Sequence, residues 1–169
     1  MSANFPYPGL RPFARDETDI FFGREEHTDQ LLARLQHTHF LAVVGPSGYG
    51  KSSLVRTGLL AGLEIGFLRS AGARWRVAEL RPGNRPFAAL TDALLVDNAL
   101  GPEYLAHVTS YFSEPAETTA FLAAGSQRAM LQAQLRRGPF SIHEILAYVP
   151  LPKNTRLLIV VDQFEEIFR

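Results

Sequence analysis

The chain has 169 residues, 46% of them hydrophobic, which is enough to bury one good core in one domain. Lysine plus arginine and aspartate plus glutamate balance at 17 each, giving no signal for nucleic acid or another extended polyanion. The absence of cysteine excludes disulfides and thiolate metal sites and is in keeping with a reducing compartment.

Residues 1–19 form a lead in which Pro6, Pro8, Gly9 and Pro12 deny regular structure, while Phe5, Tyr7, Leu10 and Phe13 imply packing onto a neighbour. Its prolines and polar residues stand where a signal peptide needs an apolar core, and no run approaches the roughly 18 apolar residues of a membrane span. The expected location is therefore cytoplasmic. Residues 24–36 read as a helix with Leu31, Leu32 and Leu35 on one side. Phe40–Val44 reads as a buried strand, and residues 52–61 as a helix carrying Leu54, Val55, Leu59 and Leu60. Trp75–Leu80 alternates like a second strand and is ended by Arg81-Pro82-Gly83-Asn84. Residues 87–97 read as a helix, and residues 98–150 as two or three more. The clearest of these runs over 117–137 and is stopped by Gly138-Pro139, with Ser141 capping a shorter one through Ala147. Residues 156–161 form a third strand, continuously apolar from Leu157. Strands alternating with helices imply an α/β fold with a parallel sheet flanked by helices.

Between the first strand and its helix lies Gly45-Pro46-Ser47-Gly48-Tyr49-Gly50-Lys51-Ser52, a full G-x-x-x-x-G-K-[ST] match and the loop that wraps nucleotide phosphates. Backbone N–H groups surround phosphate oxygens only where no side chain intrudes, hence Gly45, Gly48 and Gly50, which also tolerate positive φ. The helix that follows turns its unsatisfied N–H groups and positive dipole end toward the same oxygens. Lys51 is the candidate catalytic cation for the β- and γ-phosphates, and the Ser52 hydroxyl is a candidate Mg2+ ligand. The candidate nucleotide contacts are thus Gly45, Pro46, Ser47, Gly48, Tyr49, Gly50, Lys51, Ser52 and Ser53, with the Tyr49 ring expected to point away from the phosphates. Trp75 reads as core, and the five histidines lack metal-ligand spacing.

The third strand ends in Leu157-Leu158-Ile159-Val160-Val161-Asp162, an apolar run closed by a carboxylate that holds Mg2+ in phosphate-loop proteins. A glutamate just beyond orients and polarises the attacking water. The residue directly after Asp162 is Gln163, which orients water but takes no proton, so the candidate catalytic carboxylates are Glu165 and Glu166. This substitution puts rapid hydrolysis in question.

Five segments in order carry a resemblance: YPGLRPF from Tyr7, FFGREE from Phe21, VVGPSGYGKSSLVRTGLL from Val43, WRVAELRPGNRP from Trp75 and LLIVVDQFEEIF from Leu157. Together they resemble the STAND class of signal-transduction ATPases, in its novel-STAND bacterial subclass. The resemblance implies a P-loop NTPase fold using ATP or ADP with Mg2+. It makes Phe22, Gly23 and Arg24 of the FFGRE motif base and ribose contacts, where a plain reading gives a packing turn before the helix. It divides the chain into a lead over 1–23 and, over 24–169, the front portion of the NTPase domain with a helical insert at 86–155. It also implies a switch that self-associates on activation, flanked in a longer parent chain by effector and sensor domains and serving defence or regulation. The family's later strands, sensor residue, lid and winged helix do not occur before Arg169, so the domain reads as incomplete after the Asp162 strand, with nucleotide binding weaker than in the parent and little turnover.

Three alternatives compete. A nucleotide-gated scaffold would bind ATP or ADP without hydrolysis. A P-loop kinase usually begins close to its phosphate loop, whereas some forty residues and FFGREE precede it here. A transporter ATPase needs an L-S-G-G-Q segment near its Asp strand, and residues 122–127 echo it only faintly and too far upstream. Arg81 and Arg85 stand just past the second strand, at the edge where nucleotides bind in such sheets, as phosphate contacts or as a solvated turn. Arg136-Arg137 reads as an answer to a helix dipole.

Overall fold

The computed structural model describes residues 9, 11–66, 74–123 and 125–168. The chain divides into two compact units, Met1–Ala73 and Arg74–Arg169.

In the first unit, helix α1 (Glu25–His37) packs against a continuous helical rod made of α2 (Lys51–Ser53), a π-helical stretch (Leu54–Leu60) and α3 (Ala61–Ile65). The rod starts at Gly50 and stops at Gly66, both in the left-handed region at φ +75° and +92°, where a side chain would be strained. α1 lies close because the rod presents glycine at two positions one turn apart. A Cβ on Gly62 would come within 3.1 Å of the Leu32 side chain, and one on Gly58 would collide with the Thr28 hydroxyl. Leu32 and Leu35 of α1 and Leu54, Leu59, Leu60 and Leu63 of the rod are buried.

The described part of the lead, around Phe13, Ala14 and Arg15, packs on the rod. The Phe13 N–H donates to Ser53 Oγ at 3.1 Å, and Thr57 Oγ1 donates to the Ala14 carbonyl at 2.9 Å. Arg15 pairs with Glu64 at 2.9 Å, and the Phe13 and Phe21 rings meet edge-on at 5.4 Å. Phe5, Pro6, Tyr7, Pro8 and Leu10 lie outside the described residues. Arg11 forks onto Glu17 at 2.8 and 2.5 Å, and the Ala14 N–H adds a bond of 2.7 Å to the same carboxylate. The Arg11 guanidinium first, then the Ala14 amide, holds the Glu17 carboxyl down at about 2. Because the folded value lies below the unfolded one of roughly 4.3, the clasp contributes fully above that pH and is lost as pH falls through about 2. We predict that the Glu17 carboxyl 13C shift titrates near pH 2 and moves back toward about 4 in Arg11→Gln.

Phe40–Val44 departs from the strand expected of it. Among the described residues the segment forms no strand ladder, and Phe40 and Val44 are 83% and 90% exposed. A strand persists only with a hydrogen-bonded partner, which an apolar run cannot supply for itself.

The second unit is built on two parallel strands, β1 (Arg74–Leu80) and β2 (Thr155–Val161), in register from Arg74 opposite Thr155 to Leu80 opposite Val161. Parallel pairing requires a crossover, supplied here by α4 (Pro86–Leu94), α5 (Gly101–Thr109), α6 (Pro115–Ala123), α7 (Ser126–Leu135) and α8 (Ser141–Tyr148). Proline opens α4 and α5 at positions where the missing N–H costs nothing. The core joins Ala78 and Leu80 of β1 to Leu94, Leu100, Tyr104, Leu131, Leu135 and Ile145, with Leu157 and Ile159 of β2 packed on it. Burial pushes the Tyr104 phenol up to about 12, and its hydroxyl donates to Gln134 Oε1 at 3.1 Å.

Two local expectations give way here. The single helix expected over 117–137 is two, because Gly125 at φ +64° starts α7 afresh; Ala124 lies outside the described residues. Ser141 does not cap α8, whose cap is Phe140; its hydroxyl donates to the Leu135 carbonyl at 3.1 Å and ties α7 to α8. The Arg136 guanidinium, at the end of α7, lies over the Phe87 ring at 5.0 Å in a cation–π contact. Trp75 is half-buried, with Arg156 over its ring at 5.7 Å.

Candidate functional site

In the first unit the phosphate loop connects the extended 40–44 segment to the rod. Gly48 and Gly50 sit at φ +80° and +75°, and a Cβ on either would meet nothing within 4 Å. Their requirement is therefore torsional, and the space above them is open, as a cradle for an anion demands. Lys51 folds back over the loop, donating from Nζ to the carbonyls of Gly45 at 2.8 Å and Pro46 at 2.9 Å. An ammonium has three donors, so this geometry fixes its position while keeping the charge at the loop. Nothing polar is needed from Tyr49 except its backbone: the ring is 65% exposed, and its carbonyl accepts from Arg24 Nη2 at 3.3 Å.

That last bond joins the FFGRE motif to the loop. Gly23 takes φ +77°, its N–H donates to Glu25 Oε1 at 3.0 Å, and the Glu25 carboxyl is held below its ordinary value by the backbone amides it accepts, its own first. The motif thus starts α1 as a plain packing reading would have it, and also places Arg24 against the loop. Phe22, 75% exposed, is available for stacking on a planar group. Ser52 is half-buried at the first turn of the rod. Ser53 needs correction as a nucleotide contact through its side chain: it is buried, and its hydroxyl is taken by the Phe13 N–H.

In the second unit, Asp162 follows the last residue of β2. Its N–H donates to the Leu80 carbonyl at 2.9 Å, extending the ladder by one rung and fixing it beside Arg81. Arg81 Nε and Nη2 both reach Asp162 Oδ2 at 3.2 Å. Arg81 is thus a partner of the acidic residue, which was not among the sequence expectations for it. Gln163 takes the left-handed region at φ +58° and turns the chain into a tight 3-10 turn, Phe164–Phe168. The two candidate catalytic carboxylates on this turn separate. Glu166 is half-buried and accepts from the Gly83 N–H at 3.0 Å, while Glu165 is exposed and without a partner among the described residues. An apolar hollow of about 250 Å3, lined among others by Leu80, Pro82, Phe87, Ile159, Val161 and Phe164, adjoins the turn. Arg81 and Gly83 are the residues that sequence reasoning underused, and their signal was the R-P-G-N run directly after a strand.

The family model described as Novel STAND NTPase 1 matches residues 6–169. The chain belongs to this family. No curated protein and no solved structure matches it. Membership makes the chain a nucleotide-binding module of the STAND type, with the mixed helix–strand architecture and parallel pairing described above. Among the described residues no helix is long and apolar enough to cross a membrane. The residues fit the ligands that a STAND NTPase uses: the glycine loop has room and geometry for phosphate oxygens, and the carboxylate of Asp162 is the hard oxygen donor that Mg2+ takes.

Proposed function

We propose that this STAND module is a nucleotide-dependent switch that binds ATP with Mg2+, hydrolyses or exchanges it slowly, and so controls conformational change and self-association of the protein that carries it. The observation that carries this reading is the loop itself, with Gly48 and Gly50 left-handed, Lys51 held over it and Arg24 bracing it from behind. Lys51 neutralises the β- and γ-phosphates, and the loop amides and the first turn of the rod surround their oxygens. Ser52 in the first unit and Asp162 in the second are each a candidate Mg2+ ligand, and magnesium would supply charge neutralisation at the phosphates. Phe22, Gly23 and Arg24 belong to the base and ribose side. Glu165, exposed and unengaged, takes the proton of the attacking water, whereas Glu166 is spent on Gly83 and positions the turn. In the parent protein this switch would couple sensor repeats to an effector domain, in a cytoplasmic bacterial defence or regulatory role.

One observation favours a second reading, a scaffold gated by nucleotide without hydrolysis. Gln163 occupies the position next to Asp162, and one of the two nearby glutamates is already committed. Turnover decides. Glu165→Gln is expected to slow ATP hydrolysis by about 100-fold or more, the usual contribution of a general base. Glu166→Gln is expected to slow it about tenfold or less, since an amide oxygen still accepts from Gly83. Absence of turnover in a wild type that still binds ATP establishes the scaffold; a larger loss in Glu166→Gln reverses the two roles.

A further inference from the structure

The loop after β1 clasps both acidic residues of the Asp162–Glu166 turn. Arg81 holds Asp162 and, two residues on, the Gly83 N–H holds Glu166. Between them Pro82 is buried and pins the loop, and Gly83 takes φ +52°, which lets its N–H turn to the carboxylate. The ion pair is asymmetric. The Asp162 side chain is 13% exposed and the Arg81 side chain 45%. Arg81 Nε and Nη2 both lie 3.2 Å from Asp162 Oδ2. An ion pair with a solvent-open arginine is worth little, and the arginine returns to water at small cost. The sheltered carboxylate, tied by its backbone to Leu80, stays where it is.

We propose that Arg81 is an internal stand-in cation at Asp162, displaced when Mg2+ arrives with nucleotide, and that the 81–84 loop thereby registers occupancy of the magnesium site. This rests on the reading of Asp162 as a magnesium ligand. A guanidinium and a divalent ion on one carboxylate oxygen repel each other, so the stronger cation excludes the weaker. Once Arg81 leaves, the loop keeps the buried Pro82 and the Gly83–Glu166 bond, and the start of α4 at Pro86 is the next element it moves. Arg81 is a positioning residue under this proposal, acting on metal through Asp162.

The test compares wild type, Arg81→Ala and Arg81→Lys by titrating Mg2+ at fixed ATP, with ATP in EDTA as reference. Removing the competitor is expected to lower the half-saturating Mg2+ about three- to fivefold in Arg81→Ala, the worth of an exposed ion pair. Arg81→Lys falls between, because lysine keeps the charge and loses the paired donors. ATP affinity in EDTA stays within about twofold. The second readout is the Arg81 Nε–Hε resonance of the wild type, which shifts with Mg2+–ATP and not with ATP in EDTA; it serves even if Arg81→Ala fails to fold. An unchanged magnesium requirement overturns the proposal, as does a resonance that never moves. Weakened ATP binding in EDTA overturns it too, and makes Arg81 a direct phosphate ligand. A wild type that binds no nucleotide sinks the functional reading and this inference together, whereas a nucleotide-binding wild type with an unresponsive Arg81 sinks this inference alone.

Discussion

Lys51→Ala is expected to weaken ATP binding by roughly 10- to 100-fold, the worth of one to two charge-assisted hydrogen bonds to phosphate at about 1.5–3 kcal/mol. The loss has two parts. One is the missing charge; the other is the brace that Nζ places on the Gly45 and Pro46 carbonyls, without which the loop must be ordered when nucleotide binds. Lys51→Arg separates them. A planar guanidinium keeps the charge but does not reproduce a compact ammonium sitting on two adjacent carbonyls, so this variant also loses most of the affinity. The exposed position of the Lys51 contacts means that neither change unfolds the protein. A fluorescent-nucleotide titration read beside a melting curve checks both statements, and undiminished binding in Lys51→Ala is the contrary outcome.

Leu94→Ala is expected to cost about 2–5 kcal/mol of the second unit's stability. Leu94 is fully buried at the end of α4, inside the cluster that joins β1 to the crossover helices. Removing three carbons from this buried cluster costs their transfer energy and leaves a cavity, and both count. Trp75, the only tryptophan in the chain, lies in β1 and reports the unfolding of this unit by its fluorescence in urea. Val96→Ala, at a position 46% exposed, is the control and shifts the same transition by about 0.5 kcal/mol or less.

How much of this the sequence revealed depends on the range of the interaction concerned. The phosphate loop was legible because its geometry is local: glycines where φ is positive, a lysine six residues after the carbonyl it caps, and a helix beginning at once. β1 and β2 were legible from alternation and from a continuous apolar run, within one residue at each end. Residues 40–44 have the same apolar character yet make no ladder, since pairing is a property of two segments and composition describes only one. The break between α6 and α7 lay in a glycine that a helical pattern tolerates on average but that here takes φ +64°. At the candidate site, Asp162 was singled out by its place at the end of a strand. Its partner Arg81 stands 81 residues earlier, and only the parallel register of β1 and β2 brings the two ends together. Glu165 and Glu166 looked equivalent because adjacent residues on a turn differ only in what each one meets.

Calorimetric titration of the purified chain with ATP, in the presence and absence of Mg2+, tests the central claim most directly. A loop built as an anion cradle predicts a saturable heat with one nucleotide per chain, strengthened by magnesium and abolished or much reduced in Lys51→Ala. No heat from ATP or ADP up to about millimolar concentration, a binding free energy weaker than roughly 4 kcal/mol, contradicts it.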